Sequence, residues 1–294
     1  VSLRGMEFRD NQTGIRVVNT LDIGGTLNVL DDQFLQLFGI NMFDSDFVGV
    51  VTTNLTELDI RDSLFDNNGD VANVDNETLL LLYTERPNDD TTTRFSEFDN
   101  PYTINIERTQ FSDNTDDVIR IANSVTAIGA HIGVNVESNL FTVNDAFEFS
   151  PGVNPNEFAF GITWNGPARV NLEDNAFELV FANPAIATGF QIAMFTDMNS
   201  STDLLQEAIV GNRILNSDHP GAVGIRTFTS GPSEQLIDSN DMIFAGLNSN
   251  GMEFNLGSST AMDIVNNRIR FEADSGRGIF VDRLIEPGSF QISN

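Results

Sequence analysis

The chain has no cysteine among its 294 residues. Disulfide frameworks, zinc–thiolate centres and cysteine nucleophiles are therefore excluded. It also has no lysine, since all 15 basic residues are arginine. That removes Schiff-base chemistry, a P-loop lysine and lysine general bases. Positive charge is scarce: 43 acidic side chains face 15 basic ones, for a net charge of -28 and a pI near 4.1. Such a surface repels phosphate backbones, so nucleic acid is not an expected partner. Anionic lipids and polyanionic polysaccharides are disfavoured too, unless divalent cations intervene. Apolar runs such as Leu79–Leu82 are far too short for a helix that crosses a bilayer, so no membrane insertion is expected. No secretory leader is readable.

Asparagine and phenylalanine are what the chain has in quantity, with 33 Asn and 24 Phe against two Tyr and one Trp. Asn favours turns, and Phe favours packed sheets. An acidic, lysine-free surface suits salty or calcium-rich water, where cations screen self-repulsion.

A repeat organises these residues. Ile106-Glu-Arg-Thr-Gln-Phe111, Val136-Glu-Ser-Asn-Leu-Phe141, Leu172-Glu-Asp-Asn-Ala-Phe177 and Ile264-Val-Asn-Asn-Arg-Ile269 share one template. An apolar residue is followed by a polar one three positions on and a large apolar one five positions on. The template also fits Leu3/Phe8, Val29/Phe34, Ile60/Phe65, Ile209/Ile214 and Ile237/Met242. Successive starts are 26, 31, 46, 30, 36, 37, 28 and 27 residues apart, and Ile292 opens a tenth copy. The middle position holds Met6, Asp32, Ser63 and Thr109, then Asn139, Asn175, Asn212, Asn240 and Asn267.

A second motif follows the first: Gly14-Ile-Arg-Val17, Val118-Ile-Arg-Ile121, Ala146-Phe-Glu-Phe149, Gly189-Phe-Gln-Ile192, Gly224-Ile-Arg-Thr227, Gly251-Met-Glu-Phe254 and Gly278-Ile-Phe-Val281. Its small–apolar–polar–apolar pattern is the period-2 alternation of a short strand with one buried face. Short strands separated by Asn, Gly and Asp turns at this period describe the coil of a solenoid. No single coil can bury its apolar face alone. The period is too short for four-stranded propeller blades, and helical patterning is missing. Nine coils at about 4.8 Å each would make a rod about 43 Å long.

These turns and strands resemble the right-handed parallel β-helix repeat proteins, the fold group that includes the pectate lyases. The resemblance covers essentially the whole chain. It implies an all-β, single-domain right-handed parallel β-helix of about nine coils over 1–294, with longer loops in the middle coils. It further implies that Asn139, Asn175, Asn212, Asn240 and Asn267 form a ladder of stacked amides at the bend. Asn tolerates the left-handed backbone region of such a bend, and its amide bonds the coils on either side. Phe65, Phe111, Phe141 and Phe177 are expected to stack in the core. Because Val1-Ser-Leu3 and Phe290-Gln-Ile292 fall inside the repeat without capping motifs, 1–294 is expected to be a segment of a longer chain, or a unit that meets neighbouring copies through its open ends.

The fold group hosts enzymes, adhesins and inert stalks, so function has to be read from sites. The longer coils carry Thr84–Arg94, Ser150–Asn156 with Phe158–Trp164, and Asp197–Asp203, which are expected to protrude and wall a groove. Tyr83, Tyr102 and Trp164 lie in or near them, with Arg86 and Arg94, and form the candidate binding patch for a polysaccharide. Asp89, Asp90, Asp99, Asp116 and Asp117 are candidate calcium ligands, with a plain solvated acidic surface as the alternative. Neighbouring acids on a strand point to opposite faces, so these pairs are not catalytic pairs. Asn114-Thr-Asp116-Asp117 resembles an acidic motif of polygalacturonases. The Gly-His-Gly and Arg-Ile-Lys motifs of that family are absent, since His131 and His219 stand in other contexts. Arg16, Arg120 and Arg226 occupy one outward slot that Glu148, Gln191 and Glu253 fill elsewhere, which reads as the polar side of a strand.

The expectation is a structural or adhesive β-helix segment of an extracellular or cell-surface protein. No catalytic residue is assigned and no cofactor is required, calcium being the one candidate. The alternatives are a carbohydrate-active β-helix that uses a groove between long loops, and a subunit of an end-to-end filament.

Overall fold

The computed structural model describes residues 1–18, 34–46, 48–68, 77–83, 102–114, 118–123, 132–144, 159–165, 168–180, 190–198, 205–216, 221–257, 260–284 and 289–293. Every strand pairing in it is parallel, and no helix occurs among the described residues. Three sheets of ten, nine and nine strands run the length of the molecule, each with its strands in chain order. The first sheet extends from Ser2–Arg4 to Ser289–Ser293, the second from Glu7–Arg9 to Arg268–Phe271, and the third from Thr13–Val18 to Arg277–Leu284. The chain visits the three in turn, which makes it a single right-handed parallel β-helix.

Strand alternation sends one set of side chains inward. Ile60, Ile106, Val136, Leu172, Ile209, Ile237, Ile264 and Ile292 pair in consecutive register on the first sheet. On the second sheet the Phe65, Phe111, Phe141 and Phe177 rings stack with centroids 5.3, 5.0 and 4.5 Å apart and planes within 12°. That spacing is the strand separation itself, so the aromatic contact costs the backbone no adjustment. Ile214 and Met242 continue the column and are fully buried.

The bend between the first and second sheets uses two residues with separate tasks. Gly5, Gly39, Asp62, Arg108, Ser138, Asp174, Gly211, Ser239 and Asn266 all adopt φ between 48° and 69°. Each of them precedes the middle position of its template. The left-handed residue is therefore the one before the ladder asparagine, not the asparagine as the sequence suggested. The turn residue reverses the chain, and the asparagine after it points its amide into the bend. Asn139, Asn175, Asn212 and Asn240 each present their main-chain N–H and Nδ2 to the Oδ1 of the next ladder amide, at 2.9–3.1 Å. Each Nδ2 also donates to a carbonyl of the preceding coil, as Asn175 does to Val136 at 2.8 Å. Thr109 donates its N–H to Asn139 Oδ1 at 2.9 Å, and Ser63 Oγ accepts from Ile40 N at 3.1 Å. The ladder thus runs into coils without asparagine. These bonds span 23, 30, 36, 37, 28 and 27 residues, so coil length varies while register does not.

A second, shorter ladder stands at the far end of the second sheet. Ser45 N donates to Asn68 Oδ1, and Asn68 N and Nδ2 both donate to Asn114 Oδ1 at 3.0 Å. The preceding residues Asp44, Asn67 and Asp113 are again left-handed. Asn114 is thus a ladder residue, while Asp116 and Asp117 of the same stretch lie outside the described residues.

The register corrects three sequence assignments. Leu37, not Val29, pairs with Leu3 and Ile60, so the second coil's template is Leu37-x-x-Ile40-x-Met42. Val29 and Asp32 lie outside the described residues, and Phe34 points outward at the start of its strand. In the fifth coil the third-sheet strand is Ala159–Asn165, whereas Ala146–Phe149 lies outside the described residues. In the sixth coil the copy in register is Ala193-Met-Phe-Thr196, because Met194 pairs with Ile225 and Ile192 with Val223. Gly189–Ile192 was therefore four residues out of frame, and Phe195, not Gln191, fills the outward slot beside Arg226.

Glycine opens many of these strands because the coils touch there. A Cβ on Gly161 would sit 2.5 Å from the Ala193 carbonyl and from Phe177, and one on Gly224 would sit 2.8 Å from the Gly251 carbonyl.

Replacing Asn175 with alanine strands donors and acceptors on both adjoining coils, and is expected to cost about 3 kcal/mol. Asn267→Ala, at the half-exposed end of the ladder, is expected to cost less than half of that. Urea unfolding of the two variants checks this, and equal losses would contradict it. Phe141→Ala is expected to cost about 3–5 kcal/mol by the same measurement, since it opens a cavity inside a closed ring stack.

Candidate functional site

Tyr83 and Tyr102, expected from sequence as binding residues in or near the long loops, are core residues. Tyr83 ends the strand Leu79–Tyr83 and Tyr102 starts Tyr102–Glu107. Both are fully buried, with ring centroids 4.5 Å apart at the bend between the third and first sheets. Burial also pushes the Tyr83 phenol up from its ordinary range. Neither ring has a face left for a sugar. Trp164 belongs to a strand, between Ile121 and Thr196 in register, and not to a protruding loop. Its side chain is outside the described set. Arg86, Arg94, Asp89, Asp90, Asp99, Asp116 and Asp117 also lie outside the described residues, as do His131 and His219. No group of three His, Asp or Glu side chains among the described residues is arranged to hold a metal ion.

The outward slot of the third sheet reads Arg16, Val51, Leu80, Arg120, Thr163, Phe195, Arg226, Glu253 and Phe280 in register. Arg226 forks onto Glu253 Oε2 at 3.0 and 2.6 Å, and Arg120 reaches Glu77 at 2.6 Å. Those guanidiniums hold carboxylates of their own chain.

A groove crosses the outer face of the first sheet. It encloses about 760 Å³ and runs along the helix axis from Thr103 to Ala261. Register explains its shape. One outward row reads Asn105, Asn135, Asn171, Ala208, Leu236, Asp263, and the next reads Thr103, Gly133, Arg169, Gln206, Glu234, Ala261. Gly133, Ala208 and Ala261 leave hollows between longer neighbours. Asn171 Nδ2 donates to Asn135 Oδ1 at 2.8 Å and to Glu173 at 3.3 Å, and Gln206 donates to Glu234 at 3.3 Å. Leu236 is 39% exposed on the floor. Glu107, Glu137 and Glu173 form a neighbouring row, with Arg61 3.5 Å from Glu107 at its end. This face offers amides, carboxylates, a guanidinium and a little apolar surface. Those groups hydrogen-bond hydroxyls along a linear ligand, and none is a cysteine, lysine or histidine nucleophile. The composition-led reading placed binding on loop aromatics and missed this face. The repeated Asn-Ile/Val/Leu-Glu of Asn105–Glu107, Asn135–Glu137 and Asn171–Glu173 is the signal that marks it.

Among the described residues, three carboxyl groups depart upward from their ordinary range. Burial raises Asp197 on the outer face of the third sheet. Asp66 is raised by burial and then by Asp113 and Asp44 at the second bend. Glu207 is pushed up to about 7 by complete burial, against the neighbouring Thr196 and Thr227 hydroxyls that pull it down. Where arginine is near, the direction reverses: Arg108 lowers Asp62, and Arg268 lowers Asp241. Of the three raised groups, only Glu207 is among the residues that line the groove, and its side chain is buried beneath the two polar rows.

Comparison with protein-family models, with curated proteins and with solved structures found no match for this chain.

Self-repulsion from the net charge of -28 should be visible in bulk. Raising NaCl from about 0.01 M to about 1 M shortens the Debye length from about 30 Å to about 3 Å. The melting temperature is expected to rise by several degrees over that range. A fall would mean that the arginine–carboxylate pairs outweigh the like-charge repulsion.

Proposed function

We propose that the chain serves as a rigid, adhesive β-helix rod of a secreted or cell-surface protein, a role that parallel β-helix repeat proteins also fill. The observation that carries this reading is the unbroken stacking of coils around a filled interior. It supplies stiffness and leaves the outer faces as the surfaces for contact. The groove on the first sheet is the contact surface we favour. Its axis follows the rod, and its amides, Arg169 and carboxylates suit the hydroxyls of a neutral polysaccharide. The strongly negative surface disfavours polyanionic glycans.

The same groove supports a second reading as a carbohydrate-active site, in which acids of this face would act on the bound polymer. Affinity electrophoresis against neutral polysaccharides, followed by assay of released reducing ends and unsaturated products, separates the two. The adhesive reading expects retardation by at least one polysaccharide, at least a tenfold loss of affinity in Arg169→Ala/Asn171→Ala, and no released product. Product release that the double variant abolishes would establish the enzymatic reading instead. Binding that survives the double variant would remove the groove from both.

A further inference from the structure

Leu205, Glu207 and Ile209 alternate along one strand of the first sheet, so all three side chains enter the interior. Glu207 is thus a carboxyl group inside the coil, between Val170 and Gln235 in register. Thr196 and Thr227 face it from the third sheet. Ile214, in the same coil, and Met242, in the next, line the second sheet and are fully buried. None of these side chains is charged, so no cationic group among them balances a carboxylate. Isolated charge in such surroundings is strongly unfavourable, and the group takes up a proton instead.

The hydrogen bonds show where that proton belongs. Gln235 Nε2 donates to Glu207 Oε2 at 3.0 Å, and Thr227 Oγ1 donates to the same oxygen at 3.4 Å. Thr196 Oγ1 in turn donates to Thr227 Oγ1 at 3.0 Å. Glu207 Oε1 and Gln235 Oε1 are both buried acceptors without a donor. Two stranded acceptors beside one completed amide–carboxyl bond are what a missing proton leaves behind.

We propose that Glu207 is held as the neutral acid, with its proton on Oε1 donated to Gln235 Oε1, so that carboxyl and amide close a two-bond ring joining adjacent coils. One proton then satisfies both orphaned oxygens. Its release to solvent opens one arm of the ring and leaves a bare charge in the core. The joint between the Glu207 and Gln235 coils is therefore a pH-sensitive point in an otherwise uniform rod.

The direction follows from linkage. Burial raises the folded-state carboxyl to about 7 from an ordinary value of 4.5. Its contribution is complete below about 4.5, declines as pH rises through about 7, and is flat above that. Glu207→Gln keeps the amide partner and removes the titration. The test compares melting temperatures of the wild-type protein and Glu207→Gln at pH 5 and pH 8.5. The other carboxylates cancel in the difference. The wild-type protein is expected to lose about 5 °C more than the variant between the two pH values. Independently of whether that variant folds, the infrared spectrum of the wild-type protein at pH 5.5 should contain a protonated-carboxyl carbonyl band that disappears by pH 8.5. Parallel melting curves with no such band would overturn the proposal. So would a melting temperature raised by sodium, potassium or calcium in the wild-type protein alone, because a cation and not a proton would then balance Glu207.

Discussion

Identical positions of successive coils lie on top of one another at the strand repeat, and the asparagine ladder enforces this. A parallel sheet alone tolerates a slip of two residues, since the same face stays buried. The ladder does not tolerate one. Each Oδ1 accepts two bonds from the neighbouring amide residue, and each Nδ2 also reaches a carbonyl of the coil before. A slip would strand these groups in the interior. With the bend fixed, the phenylalanines five residues after the template start are bound to stack, and the apolar strand residues are bound to form columns. Insertions then cost little, because the 46 residues from Ile60 to Ile106 and the 27 from Ile237 to Ile264 both return to the same bend.

Much of this was readable in the sequence. The six-residue template carries the bend, the ladder position and the stacked ring together, and its copies in the later coils agree with the observed register. It failed at the second coil, where Val29/Phe34 fits with Asp32 in the middle and Leu37/Met42, with Ile40 there, fits only at its apolar ends. The left-handed Gly39 before Ile40 was the tie-breaker, as Gly5 and Gly211 are in other coils. The four-residue strand motif is weaker. It matched Ala146–Phe149 and Gly189–Ile192, but the paired strands are Ala159–Asn165 and the longer Phe190–Met198. A pattern of four alternating residues recurs by chance in a chain this rich in apolar and polar alternation.

The site residues were less legible, for a physical reason. From sequence Tyr83 stands beside the long Thr84–Arg94 stretch. Yet Leu79, Leu81 and Tyr83 share a strand face, and the period of two puts the tyrosine inside. The same arithmetic on Leu205, Glu207 and Ile209 marks Glu207 as an interior acid. Composition conceals it, because one buried carboxyl is lost among 43 acidic residues. The groove is hidden for another reason. It is made by residues one coil apart, and only the register shows that Asn105, Asn135 and Asn171 form a row.

Register is thus the claim on which core, groove and interior acid all rest. The direct test is nuclear Overhauser contacts among the side-chain amides of Asn139, Asn175, Asn212 and Asn240 in isotope-labelled protein. The account predicts a contact from each amide to its immediate neighbours in that order, with side-chain amide exchange slowed along the row. Contacts that skip a member, or that join a ladder amide to a residue two positions displaced on the next coil, would contradict it.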